Sequence, residues 1–142
     1  MKKARALIVE DDRNIAQLFS TVLHRAGFEN EIYQTGLTAL QRLPYAEPDL
    51  IIQDLGLPDI KGVEVLRLIR ADRRFANTPI FVVTAHWEES ESKEVQEFAD
   101  LVLLKPISVS QLFDLATRYR PKASEMRTGL SPRAPLALGY AN

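Results

Sequence analysis

Short apolar runs alternate along the chain with segments whose apolar positions recur every three or four residues. The runs fall at 4–9, 28–33, 50–53, 79–84 and 101–104, each bounded by turn-forming or charged residues. Three of them, Leu7-Ile8-Val9, Leu50-Ile51-Ile52 and Ile80-Phe81-Val82-Val83, are continuous and rich in β-branched side chains. A strand with one face in water alternates between apolar and polar positions. An unbroken run predicts a strand covered on both faces, as in a parallel sheet lined by helices.

The intervening segments carry the helical period. Ile15, Leu18, Phe19, Val22, Leu23 and Ala26 form one apolar stripe, with Asp12 ahead of it as a candidate N-cap and Gly27 behind it as a stop. Segment 35–42 offers Leu37 and Leu40, with Leu43 ahead of Pro44, and segment 62–71 offers Val65, Leu66 and Ile69. Ser108-Val109-Ser110-Gln111 reads as a capping box opening a helix with Val109, Leu112, Phe113 and Ala116 on one face. Segment 88–98 is the weakest helix, with Val95 and Phe98 as its core contacts. Five strand–helix units in succession predict an α/β fold, (βα)5: an open, doubly wound five-stranded parallel sheet with helices on both faces and right-handed crossovers.

Composition bounds this picture. The 142 residues, 46% hydrophobic and 26% charged, suit one globular domain. Proline and glycine take 5 of the 22 positions in 121–142 against 9 of the 120 before them, so 1–120 is read as the domain and 121–142 as a tail or linker. Twenty-two residues cannot form an output domain. If the chain is complete it is a single-domain protein; if not, 121–142 is the head of a linker. Leu130, Leu136, Leu138 and Tyr140 could dock on the domain or a partner.

The absence of cysteine excludes a disulfide scaffold, a thiolate zinc site, an iron–sulfur centre and a cysteine nucleophile. Two histidines, His24 and His86, are too few for a histidine-rich metal cage. A formal charge of −1 offers no electrostatic argument for nucleic acid. The basic N-terminus meets Glu10-Asp11-Asp12 too soon for a secretory signal, and no apolar run approaches the ~18 residues of a membrane span. A soluble, cytoplasmic protein is expected.

In sheets of this kind ligands bind at the carboxyl ends of the strands. The first run ends in Glu10-Asp11-Asp12, the third in Asp54, the fourth in Thr84-Ala85 and the fifth in Lys105-Pro106. Crowded carboxylates invite a hard divalent cation bound through oxygens, and Mg²⁺ suits such a site if it keeps some waters. Lys105 adds positive charge and Thr84 a hydrogen-bond donor for a phosphoryl oxygen. Asp54 can then act as nucleophile and form an aspartyl phosphate. Taken singly, each residue has a plainer explanation as a cap, a turn residue or solvated charge; the argument rests on their placement at four strand ends.

These residues carry a family resemblance. Leu7-Ile8-Val9-Glu10-Asp11-Asp12, the stretch Pro48-Asp49-Leu50-Ile51-Ile52-Gln53-Asp54-Leu55-Gly56-Leu57-Pro58-Asp59, Gly62, Pro79, Thr84-Ala85 and Lys105-Pro106 resemble a response-regulator receiver domain of two-component signalling. The likeness spans roughly 4–120. It implies a flavodoxin-like strand order 2-1-3-4-5 and a phosphorelay switch. Asp54 would be the phosphoacceptor, taking its group from a phosphohistidine on a sensor histidine kinase or phosphotransfer protein. Glu10 and Asp11 match the acidic pair, Asp11 as a direct Mg²⁺ ligand and Glu10 partly through water. Asp54 itself and the backbone carbonyl of Gly56 would complete the protein's ligands. Thr84 and Lys105 would hold the phosphoryl oxygens, and Pro106 matches a proline whose bond is often cis.

Departures are equally specific. The family commonly carries an aromatic residue three positions before its lysine; here it is Val102, read as plain core, which puts the hydroxyl–aromatic switch in doubt. Lys61 stands where an acid is common and is expected to be solvent-exposed. Gly56 and His86 occupy positions that in the family influence hydrolysis of the aspartyl phosphate; His86 could lie across the site or be a loop residue. His24 is expected on the outer face of the first helix. The acidic segment Trp87 to Asp100 is a solvated face or, by the resemblance, with the 87–120 face, a surface for a downstream protein target. Its acidity argues against direct DNA binding. A second copy of the chain is a further candidate partner.

Three other functions fit these residues less well. A pseudo-receiver working without phosphorylation would be favoured by loss of an acid, Thr84 or Lys105, and all are present. A phosphatase passing through an aspartyl phosphate typically needs a second carboxylate two residues after the nucleophile, where Gly56 stands. A flavin module lacks its Ser/Thr/Gly-rich phosphate loop after the first strand. The expectation is a relay module that assists only its own phosphorylation and dephosphorylation, not an enzyme.

Overall fold

The computed structural model describes residues 3–122. Its elements alternate: β1 (Ala4–Val9), α1 (Arg13–Arg25), β2 (Phe28–Tyr33), α2 (Gly36–Ala46), β3 (Leu50–Asp54), α3 (Gly62–Ala71), β4 (Ile80–Thr84), α4 (Trp87–Ser90), α5 (Lys93–Phe98), β5 (Leu101–Leu104) and α6 (Val109–Tyr119). The strands form one sheet in the order β2-β1-β3-β4-β5 with every pairing parallel. Successive residues of the continuous runs go to opposite sides. Ile8, Ile52, Phe81 and Val83 join Phe19, Leu23 and Leu112 of α1 and α6. Leu7, Val9, Ile51, Ile80 and Val82 join Leu43, Val65, Ile69 and Val95 of α2, α3 and α5. Each large apolar side chain so buried contributes about 1.5–3 kcal/mol, and that two-sided burial is why the runs do not alternate in sequence.

Local chemistry sets most helix ends. Asp12 caps α1, accepting from the N–H groups of Asn14 and Ile15; Gly27, at φ 97°, turns the chain out of the helix into β2. Thr35 and Ser108 cap α2 and α6 from their hydroxyls. The carboxylate of Asp59, in the loop after β3, also reaches α2, accepting from Gly36 N–H at 2.9 Å and Leu37 N–H at 2.8 Å. The Leu37 N–H is the main cause of an Asp59 carboxyl held below its ordinary range.

Three helical expectations need correction. Helix α2 runs through Pro44 to Ala46, because a proline two residues from the end removes one hydrogen bond while Leu43 and Ala46 stay buried. The 88–98 segment is two short helices: Ser92 caps α5 by accepting from Val95 N–H, and Ser90 is turned inward with its hydroxyl donating to Trp87 O. Such side-chain bonds compete with a continuous helix. Leu37, Val109 and Phe113 are exposed, so α2 and α6 present fewer buried positions than their stripes promised. Among the described residues no helix is long and apolar enough to cross a membrane. Beyond Lys122, the expected tail lies outside the described residues.

One polar clamp on the core was not foreseen. The Arg70 guanidinium, 5% exposed, donates to the carbonyls of Phe98 (2.9 Å), Phe75 (2.8 Å) and Thr78 (2.7 Å) and pairs with Asp100 at 2.9 Å. Asp100 in turn accepts from Ile80 N–H at the start of β4. Breaking a buried pair strands the remaining charge, at roughly 3–5 kcal/mol. Arg70→Ala is therefore expected to cost about that much in denaturant unfolding, with Arg70→Lys restoring little because one ammonium cannot span the fork. A loss below about 1 kcal/mol would contradict this reading.

Candidate functional site

Because all five strands run the same way, their carboxyl ends share one edge. Glu10 and Asp11 follow β1, Asp54 and Thr84 end β3 and β4, and Lys105 follows β5. Four of the five sequence candidates are largely enclosed: Glu10 is 1% exposed, Asp54 5% and Thr84 0%, and Lys105 is half-buried, whereas Asp11 faces solvent.

Lys105 ties the group together. Its Nζ lies 2.9 Å from Glu10 Oε1 and 2.9 Å from Asp54 Oδ2, so one ammonium bridges two carboxylates from strands on either side of the switch in strand order. The other carboxylate oxygens are held by backbone. Asp12 N–H donates to Glu10 Oε2 at 3.1 Å, and Gly56 N–H donates to Asp54 Oδ1 at 3.0 Å. The Lys105 N–H donates to the carbonyl of Thr84, aligning the ends of β4 and β5. The Lys105–Pro106 peptide is cis.

Carboxylate oxygens of Glu10, Asp11 and Asp54 come within 4.8 Å of one another. Gly56 lies beside them in the loop after β3, and without a side chain it leaves room for the His86 ring, whose Nε2 is 3.2 Å from where a Cβ would stand. The His86 ring thus lies beside Gly56 while the residue itself is exposed in the loop after β4. Its own N–H donates to Thr84 Oγ1 at 2.9 Å. Val102 packs partly buried against the Leu7–Val82 side of the core. Trp87 is 57% exposed, Lys61 and His24 are exposed, and Glu94 of the acidic segment pairs with Arg67.

One contributor passed unnoticed in the sequence. Gln53, fully buried in β3, donates from Nε2 to the carbonyl of Gly62 at 2.6 Å and so fixes the far end of the loop that carries Gly56. A polar residue directly after the apolar run Leu50-Ile51-Ile52, still within the strand, is the available signal.

The electrostatics follow from enclosure. Burial, reinforced by the charge of Asp54, pushes the Glu10 carboxyl up to about 7, against the opposing pull of Lys105 and the Asp12 N–H. Burial alone would lower the Lys105 ammonium, but its bonds to Glu10 and Asp54 outweigh that and raise it, so it stays charged.

A sequence model of the family described as "Response regulator receiver domain" matches residues 6–117. The polar-differentiation response regulator DivK of Brucella ovis is 29% identical over 114 residues, covering 80% of this chain and 93% of the relative. Among solved structures, the chemotaxis response regulator CheY4 of Vibrio cholerae superposes with a TM-score of 0.76 at 29% identity, over 83% of this chain and 99% of that one. The Mn²⁺-bound form of response regulator Rcp1 does so with a TM-score of 0.68 at 28% identity, over 81% and 90%. The chain belongs to the response-regulator receiver family. Receiver domains bind Mg²⁺ at an acidic pocket, and Glu10, Asp11 and Asp54 form an acidic cluster at this edge of the sheet.

The raised Glu10 carboxyl has a consequence for stability. A carboxyl that binds its proton more tightly folded than unfolded favours folding at pH below 4.5, and that contribution is lost as pH rises towards 7. Glu10→Gln should therefore unfold at a higher temperature than the parent at pH 8 in chelator, with the difference closing towards pH 4.5. A variant less stable than the parent at pH 8 would show the Lys105 pair to outweigh burial.

Proposed function

We propose that this receiver domain accepts a phosphoryl group on Asp54, with Mg²⁺ at the acidic pocket, from a sensor histidine kinase or phosphotransfer protein, and changes conformation to regulate a protein partner. The observation that carries the reading is the convergence of Glu10, Asp11, Asp54 and Thr84 with an ammonium 2.9 Å from the acceptor carboxylate. That the similar response regulator Rcp1 has a Mn²⁺-bound form supports a divalent cation as the ligand.

Asp11, Asp54 and the carbonyl of Gly56 would hold the ion, with Glu10 acting partly through water. When bound, Mg²⁺ offsets the negative charge of the incoming phosphoryl group and of the carboxylates around it. The rest falls to the chain. The Gly56 N–H and Lys105 fix the Asp54 carboxylate at its two oxygens, so the acceptor is oriented before the donor arrives. As an Asp54 oxygen bonds to phosphorus and the bond from phosphorus to the donor nitrogen breaks, Lys105 is placed to neutralise a phosphoryl oxygen. In this reading the chain is acceptor and relay.

Thr84 supplies a route to conformational change. Its hydroxyl oxygen accepts from His86 N–H, at the first step of the segment leading into α4 and exposed Trp87. A phosphoryl oxygen would recruit the Thr84 hydroxyl as donor and draw that segment inward. Movement there would alter the 87–120 face, with its exposed Trp87 and Leu104, on which a downstream target is proposed to dock. Val102 packs in the core, so this route does not need an aromatic residue at that position.

Incubation with Mg²⁺ and a small acyl phosphate tests the reading. The intact mass of the wild-type protein should rise by one phosphoryl group, Asp54→Asn should stay unmodified, and chelator should prevent the reaction. Asp11→Asn should weaken Mg²⁺ binding by at least about 10-fold in calorimetric titration. A wild-type chain that remains unmodified while a second receiver domain in the same tube is phosphorylated would favour the pseudo-receiver reading instead.

A further inference from the structure

The loop joining β3 to α3 carries the Gly56 carbonyl, and its two ends are pinned. Gly62 N–H donates to the Leu55 carbonyl at 3.1 Å, and a Cβ on Gly62 would stand 2.3 Å from the Leu55 backbone, so the loop closes on itself with no slack. Gln53 holds the Gly62 carbonyl from inside the sheet. At the start of the loop, Gly56 N–H is fixed to Asp54. The Gly56 carbonyl is different: it belongs to the peptide plane shared with Leu57, so its direction follows the path of the chain from Leu57 to Ile60. Leu57 and Ile60 pack only partly against the core.

Midway along that path is Asp59. Its two oxygens accept from the first two N–H groups of α2, 2.9 and 2.8 Å away, across more than twenty residues of chain. The anchor is itself firmly seated. A Cβ on Gly36 would lie 2.7 Å from Val65 of α3, so the start of α2 is pressed against the helix that the loop leads into. Thr35 already caps α2 by accepting from Thr38 N–H, so Asp59 is an additional tie and not the helix's own cap.

We infer that Asp59 is a positioning residue for the metal pocket: by tying the middle of the β3–α3 loop to the N-terminus of α2, it holds the Gly56 carbonyl aimed at the Glu10, Asp11 and Asp54 cluster. The inference rests on the reading of Gly56 as a ligand. Partners that orient metal ligands commonly change affinity 10- to 100-fold when removed. Asp59 touches no ligand directly and acts through the loop, so its effect belongs at the lower end. It also makes the start of α2 part of the pocket's support.

Calorimetric titration of Mg²⁺ into the full chain, Asp59→Ala and Asp59→Asn tests this, alongside amide hydrogen exchange of 55–61 and thermal unfolding without metal. Asp59→Ala should bind Mg²⁺ about 10-fold more weakly and exchange its loop amides faster. Asp59→Asn, which keeps one acceptor oxygen, should fall between it and the parent in both measurements. A fall in unfolding temperature with Mg²⁺ affinity and loop exchange unchanged would show Asp59 to be a plain helix cap and overturn the inference. Faster loop exchange with unaltered Mg²⁺ affinity in a metal-binding parent would also overturn it, since the loop would then not set the ligand. A parent chain that binds no Mg²⁺ would instead remove the metal reading on which the inference stands.

Discussion

A single ammonium between two buried carboxylates is the interaction on which this molecule turns. Glu10 and Asp54 are nearly inaccessible to solvent, and Lys105, 2.9 Å from each, offsets the repulsion between their charges. The backbone makes the arrangement possible. Lys105 follows the edge strand, Asp54 ends the central one and Glu10 follows the strand beyond, and because these strands all run the same way their carboxyl ends meet at one edge. The two-sided core and the side-chain caps of α1, α2, α5 and α6 hold those strand ends in place.

That arrangement sets up a tension between stability and use. Enclosure holds the Asp54 carboxylate in one orientation and strengthens the electrostatic interactions it makes. The same enclosure leaves Glu10 paying for its charge with a carboxyl raised to about 7. Elsewhere in the fold the Arg70 clamp ties α3 to the end of α5 and to the segments entering β4 and β5. The loop after β3 shows how little freedom is left near the site: Gln53, Gly62 and Asp59 restrain it from inside, from its end and from a neighbouring helix.

Much of this was legible in the residues. Unbroken apolar runs announced a two-sided sheet because the side chains of Leu7, Ile8 and Val9 enter opposite cores. The acids, the hydroxyl and the lysine were conspicuous because they follow such runs. What escaped was long-range or competitive. Nothing local distinguishes Arg70 from a surface arginine, or reveals that Asp59 serves a helix twenty residues earlier. The break between α4 and α5 depends on two serines whose hydroxyls outcompete a weak apolar stripe. The exposure of Val109 and Phe113 likewise reflects how α6 is rotated on the sheet, which a stripe of apolar residues leaves open. His86 is an exposed loop residue whose ring lies beside Gly56, a proximity that depends on Gly56 having no side chain and that no local pattern reveals.

The central claim is that the strand ends build one pocket for a divalent cation beside Asp54. Anomalous diffraction from crystals soaked in Mn²⁺ addresses it without any assumption about phosphate chemistry. The account predicts a single strong peak bonded to Asp11, Asp54 and the carbonyl of Gly56, lost in Asp11→Asn crystals. A peak elsewhere on the molecule, or none at that edge at saturating metal, would contradict it.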